Sequence, residues 1–298
     1  GSPRDVPTAL AFGAEGVGLF RTEFLFFYRE TAPTEEEQYQ AYRAAADALG
    51  DRPLIIRTLD VGGDKPLPYL DQGSEANPFL GWRGIRFCLD NPEIFLPQLR
   101  AILRAGHQRN VLAMLPMVSQ LEEIMGTRRL LAEATDQLRA EGLPFAEQLP
   151  LGIMIEVPAA VALADVLAPA VSFFSIGTND LTQYVMAADR GNAQVASLAN
   201  ALQPAVLRQV AATVNAAHKA GIWVGVCGEL AGNPLAAPVL VGLGVDELSM
   251  SAPAIPAVKQ ALEQVTLEEV RELAAQALAL ASAAAVERFL QQATPGDQ

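Results

Sequence analysis

Seven short apolar runs recur along this chain, and most of them close on a charged or polar side chain. They are Gly16–Phe20, Leu54–Ile56, Leu112–Met117, Gly152–Glu156, Val171–Ile176, Trp223–Val226 and Glu247–Met250. A strand wetted on one face alternates apolar and polar residues, whereas a run that is apolar throughout is covered on both. Such strands form a parallel sheet with helices packed around it. Helical segments fall between the runs as this requires: Val6–Phe12 ended by Gly13, and a helix opened by a Thr34/Glu37 capping box. That second helix carries apolar or small residues at Tyr39, Tyr42, Ala45, Ala46 and Leu49 and runs to Gly50. Glu93–Ala105, a helix from a Ser119/Glu122 box to about Ala140, Ala159–Leu167, Leu202–Ala220 and Pro234–Gly242 follow. A Thr266/Glu269 cap and Ala277–Gln292 close the series. Gly84–Leu89 is a weaker eighth strand candidate, with a helix as the competing reading. Eight strand–helix units predict an α/β fold, a single-domain (β/α)8 TIM barrel over residues 3–298 with extra C-terminal helices. Gly1 and Ser2 read as a tag remnant. The competing architecture is an open doubly wound sheet, but no Gly-x-Gly-x-x-Gly turn opens a helix. Gly16 and Gly18 lie inside a strand, where close packing is the better reading.

Composition removes several classes of function. A net charge of −13 argues against nucleic acid as a partner. Two cysteines, Cys88 and Cys227, and two histidines, His107 and His218, make neither a disulfide framework nor a zinc site. His107 sits in a polar turn, and His218 near a helix end where a basic residue suits the dipole. No run resembles a signal peptide or a membrane span, so a soluble cytoplasmic protein is expected.

In a barrel the residues just past the strands form the active face. Here these are Arg21, Thr22 and Glu23; Arg57 and Asp60; Met117; Glu156; Asn179 and Asp180; Cys227 and Glu229; Ser249 and Ser251. Arg21 and Arg57 would stand on the rim, with Lys65, Arg83 and Arg190 in nearby loops. Converging guanidinium groups suit a carboxylate or phosphate; the competing reading is ion pairing to Glu23 or Asp60. Glu156 and Asp180 can hold Mg²⁺ or Mn²⁺ through oxygen, or act as an acid–base pair. Asp60–Lys65 is glycine-rich without P-loop spacing, and its glycines would let the backbone approach a ligand. Cys227 is either a proton donor or a small buried side chain. These residues leave phosphoryl transfer, carbon–carbon cleavage and enolate chemistry open.

Five motifs go further: Gly16-Val-Gly-Leu-Phe-Arg-Thr-Glu-Phe-Leu-Phe26, Arg57-Thr-Leu-Asp-Val-Gly-Gly-Asp-Lys65, Asn77-Pro-Phe-Leu-Gly-Trp-Arg-Gly-Ile-Arg86, Gly177-Thr-Asn-Asp-Leu-Thr-Gln-Tyr184 and Cys227-Gly-Glu-Leu-Ala231. In this order they resemble the C-terminal, phosphoenolpyruvate-binding domain of enzyme I of the bacterial phosphotransferase system, over essentially the whole chain. The resemblance implies that Arg21 and Arg57 bind phosphate, that Arg190 contacts the carboxylate or phosphate, and that Arg83 and Asn179 line the pocket. It implies Glu156 and Asp180 as Mg²⁺ ligands and Cys227 as the acid that protonates the enolate carbon as pyruvate forms. It further implies a bacterial, cytoplasmic homodimer and an acceptor histidine on a separate N-terminal domain, which hands the phosphoryl group to the histidine phosphocarrier protein. Fused multiphosphoryl-transfer and nitrogen-regulatory paralogues share the motifs. Pyruvate phosphate dikinase and phosphoenolpyruvate synthase belong to the same superfamily, but the Gly-Gly-Asp-Lys and Gly-Trp-Arg segments favour enzyme I over both. For this chain alone, a ligand-binding module is the non-enzyme alternative.

Overall fold

A computed structural model describes residues 2–27, 29–62, 67, 69 and 75–293. The chain divides into two compact units, residues 1–11 with 15–154 and residues 12–14 with 155–298.

The first unit runs α1 (Asp5–Ala11), β1 (Val17–Phe20), α2 (Glu35–Leu49), β2 (Leu54–Arg57), α3 (Ile85–Asp90), α4 (Pro92–Ala105), β3 (Val111–Leu115), α5 (Leu121–Ala140) and β4 (Leu151–Ile155), whose last residue begins the second unit. Strands β1 to β4 pair in chain order, all parallel. Strands β2, β3 and β4 are buried at every position, as uniformly apolar runs require. Helix α4 packs between α2 and α5.

The second unit continues with α6 (Pro158–Ala162), α7 (Ala164–Leu167), β5 (Phe173–Gly177), α8 (Thr178–Met186), α9 (Pro204–Lys219), β6 (Trp223–Cys227), α10 (Ala237–Gly242), β7 (Glu247–Ser249), α11 (Ile255–Glu263), α12 (Leu267–Ala279) and α13 (Ala283–Ala293). Strands β5, β6 and β7 pair in chain order, again parallel. Parallel strands in chain order with helices between them are the winding of the (β/α)8 class. The described residues supply seven strands.

Several local expectations are corrected. Residues 85–90 are helical rather than a strand; Gly84 enters them with φ +60°, and a Cβ there would lie 2.9 Å from the Met117 side chain. The α5 cap is one residue later than expected. Glu123, not Glu122, accepts from Ser119 N at 2.6 Å and Gln120 N at 3.0 Å. Glu123 is also the buried member of the pair. The segment 159–167 is two short helices broken at Leu163, and the stretch 277–292 is broken between α12 and α13. The Thr34/Glu37 and Thr266/Glu269 boxes form as expected, and Gly16 is a packing glycine, since a Cβ would meet Pro53 at 2.6 Å.

One buried amide ties the strand ends of the first unit. Gln98 of α4 accepts from Leu59 N at 2.9 Å and donates to Thr22 Oγ1 at 3.3 Å and Tyr42 Oη at 3.2 Å. Thr22 Oγ1 in turn donates to the Arg57 carbonyl at 3.0 Å. Gln98→Ala leaves the Leu59 amide without its buried acceptor and should cost about 2–3 kcal/mol, read as a lower denaturant midpoint. An unchanged midpoint would show that this amide does not hold the strand ends.

Candidate functional site

In the first unit the charged side chains past β1 and β2 form one buried chain of ion pairs. Arg57, the last residue of β2, reaches Glu23 Oε1 at 2.8 Å and Asp60 Oδ2 at 3.0 Å. Arg83 grips the same aspartate through both ends of its fork, Nε to Oδ1 at 3.0 Å and Nη2 to Oδ2 at 3.1 Å. Glu23 Oε1 also accepts from the Asp60 amide at 3.2 Å. All four side chains are buried. Arg57 and Arg83 thus each pair with a local acid. Among the described residues two acids and two guanidinium groups meet here, each ion drawn out of water against an opposite one.

Arg21 differs. It follows β1 directly, is exposed, and makes no hydrogen bond or ion pair among the described residues. The glycine-rich loop is described only to Gly62; Gly63, Asp64 and Lys65 lie outside the described residues. Gly62 has φ +107°, and a Cβ there would be 2.3 Å from the Trp82 carbonyl. Its bareness therefore serves the approach of the Trp82–Arg83 backbone, which delivers Arg83 to Asp60. Met117, past β3, adopts φ +59°, a conformation disfavoured for a side-chain-bearing residue. It packs on Gly84 beside Asp60.

In the second unit Glu156 follows β4 and is 1 % exposed, while Asp180 lies in the first turn of α8 and is 8 % exposed. Glu156 stands two residues before α6, and α6 packs on α8. Arg190 Nη1 lies 3.6 Å from Asp180 Oδ2, and its backbone amide donates to Gln183 Oε1 at 3.1 Å. Asn179 Oδ1 accepts from the Glu229 amide at 3.2 Å. Between them Gly228 has φ +106°, and a Cβ there would sit 2.6 Å from Thr178 Oγ1 and 2.9 Å from Asn179 Oδ1. The Cys227-Gly-Glu229 turn and the α8 start are thus locked together by the bareness of Gly228.

Cys227 ends β6 and is buried, 2 % exposed as a residue. Ser175 Oγ donates to its sulfur at 3.5 Å, and the sulfur faces the Ile176 carbonyl at 3.6 Å. Ser175 was not singled out from sequence; it lies inside an apolar run, and only strand pairing shows what it faces. Glu247, the first residue of β7, was also passed over. Burial pushes its carboxyl up to about 7, although some of the side chain still reaches solvent. The second cysteine, Cys88, is fully buried, donates to the Leu59 carbonyl at 3.4 Å and has its thiol pushed up by burial. His107 pairs with the Phe145 carbonyl at 3.2 Å and His218 with Asp246 at 2.9 Å.

Among the described residues no three His, Cys, Asp or Glu side chains are placed to hold a metal by themselves. Two buried carboxylates with oxygen donors nevertheless fit Mg²⁺, which takes one or two carboxylates and completes its shell with substrate oxygens and water.

A family model for the PEP-binding domain of PEP-utilising enzymes matches residues 1–267. The chain belongs to this family. It is 48 % identical to the phosphoenolpyruvate-protein phosphotransferase of Staphylococcus carnosus, over 99 % of this chain and 51 % of that protein. It is 49 % identical to the multiphosphoryl transfer protein of Escherichia coli, over 99 % of this chain and 36 % of that protein. The chain thus spans about half the length of the first of these relatives, 51 %, and 36 % of the second. Its fold is shared with an HpcH/Hpal aldolase/citrate lyase family protein from Burkholderia cenocepacia, at a TM-score of 0.50 and 14 % identity, covering 88 % of this chain and 90 % of that one. Among its described residues no helix is long and apolar enough to cross a membrane.

Proposed function

We propose that this chain binds phosphoenolpyruvate with Mg²⁺ and supports transfer of its phosphoryl group to a histidine on a separate domain, releasing pyruvate. This is the first step of a sugar phosphotransferase system in the bacterial cytoplasm. The observation that carries the reading is Arg21, an exposed guanidinium that meets no partner among the described residues, following β1 two positions before the buried Glu23. An anion is what such a rim takes up. Arg21 and Arg57 hold the phosphoryl oxygens, with Arg83 fixing Asp60 and so Arg57. Arg190 and Asn179 contact the substrate, and Glu156 and Asp180 hold the metal. When bound, Mg²⁺, or Mn²⁺ in its place, supplies a Lewis acid for the charge that develops as the phosphoryl group leaves. Cys227 delivers a proton to the enolate carbon, which draws the reaction on to the ketone. The active form is a symmetric homodimer. The similarity to a phosphoenolpyruvate-protein phosphotransferase and to a multiphosphoryl transfer protein supports this reading.

The donor site and the acceptor histidine are distinct in this account. His107 and His218 are engaged by Phe145 and Asp246 and precede β3 and β6, whereas the candidate residues follow strands. Incubation with radiolabelled phosphoenolpyruvate and Mg²⁺, quenched in alkali to preserve phosphohistidine, should leave this chain unlabelled. Stoichiometric label on His107 or His218 would overturn the assignment.

A further inference from the structure

Strand pairing places a second set of polar groups on the face of the sheet that carries Cys227. In the parallel register Ser175, Gly225 and Glu247 are level with one another, and Gly177, Cys227 and Ser249 form the next level. Paired residues point to the same face, so Ser175 and Glu247 flank Gly225 one level before the thiol. One level further back, the Phe173 and Trp223 rings stack at 4.6 Å and floor this face. Gly225 leaves the middle strand bare. A Cβ there would lie 3.5 Å from Glu247 Oε1, so the carboxyl leans over β6 toward β5. Among the described residues no hydrogen bond or ion pair to that carboxyl is seen, and its desolvation keeps a proton on it near neutral pH. The neighbouring Asp246 is occupied elsewhere, accepting from Val224 N at 2.8 Å and facing His218.

Two of the contacts of the thiol act in opposite directions. The Ile176 carbonyl accepts from the S–H and favours the protonated form. The Ser175 hydroxyl donates to the sulfur and favours the thiolate. A group that gives up a proton and must regain it needs both.

The geometry points to a proton line of Cys227, Ser175 and Glu247, in which Ser175 steadies the thiolate left after proton delivery and Glu247 resupplies the proton. This rests on the reading of Cys227 as the acid toward the enolate carbon. In the first step the S–H bond breaks, a C–H bond forms at the enolate carbon, and a thiolate remains. In the second, the Ser175 O–H passes its proton to sulfur while its oxygen takes one that originates on the Glu247 carboxyl. Roughly one strand spacing, ~4.8 Å, separates a group over β6 from one on β5, a gap that one water spans. Glu247 is left as a carboxylate and regains its proton from solvent, which its partial exposure allows.

The test follows exchange of pyruvate methyl protons in D₂O with Mg²⁺ by NMR, which needs no acceptor domain. Ser175→Ala and Glu247→Gln should each slow exchange by about a hundredfold with pyruvate affinity unchanged, and Ser175→Thr should restore it. Loss of exchange in Cys227→Ala with wild-type rates in Ser175→Ala and Glu247→Gln would overturn the line while leaving Cys227 in place. Exchange that survives Cys227→Ala would overturn the reading of Cys227 itself. A second readout needs neither substrate nor metal. In a Cys88→Ala background the ultraviolet absorbance of the Cys227 thiolate reports its titration. Ser175→Ala should move that titration to higher pH, and an unmoved titration would overturn the role of Ser175.

Discussion

Arg57→Met should destabilise the protein by about 3–5 kcal/mol, the cost of removing one partner from a buried ion pair. The reason is geometric. Arg57 stands between Glu23 and Asp60, 2.8 and 3.0 Å away, and all three side chains are buried. Without it the buried carboxylates of Glu23 and Asp60 lose the guanidinium that joins them. Urea unfolding should show a large fall in midpoint at unchanged slope. Arg57→Lys separates stability from binding. An ammonium keeps the charge but cannot hold Glu23 and Asp60 through a planar fork while presenting donors to a ligand. It should retain part of the stability yet weaken phosphoenolpyruvate binding by about tenfold or more. Wild-type affinity in Arg57→Lys would make Arg57 a purely structural ion-pair partner, which its contacts alone would also permit.

The second large effect concerns Glu156. The isosteric Glu156→Gln removes a charge from a side chain 1 % exposed and should cost about 2–5 kcal/mol of metal-dependent affinity, as for loss of one charged partner in a desolvated pair. Calorimetry of phosphoenolpyruvate binding with Mg²⁺ and with EDTA reads this directly. In the variant the two titrations should converge at the weak EDTA value. A variant that keeps the full difference between the two conditions would remove Glu156 from the metal set.

What the sequence showed beforehand follows the range of the forces involved. The strands were legible because burial on both faces writes itself as an unbroken apolar run, as in Val111–Leu115. The Thr34 and Thr266 caps were legible because a hydroxyl, an amide and a glutamate three residues on make a complete local exchange. The α5 cap was misplaced because Glu122 and Glu123 both offer a carboxylate there. Burial of Glu123, with Arg86 at 4.0 Å, singles out the second. The choice between strand and helix near residues 85–90 stayed open in the sequence because it depends on Gly84 accepting φ +60° against Met117, a contact from past a distant strand. The same limit applies to the site. Rim positions could be counted off the ends of strands, and both acids that meet Arg57 were named as candidates. That Asp60 serves two arginines at once comes only from the loop approach at Gly62, and that Ser175 and Glu247 share the face of Cys227 comes only from strand register.

The central claim is that this chain carries the phosphoenolpyruvate site. Calorimetric titration of phosphoenolpyruvate into the unaltered chain tests it most directly. With Mg²⁺ present, saturable binding at one site per chain is expected, with affinity that collapses when EDTA removes the metal. No binding heat at any Mg²⁺ concentration, or binding indifferent to EDTA, would contradict the account.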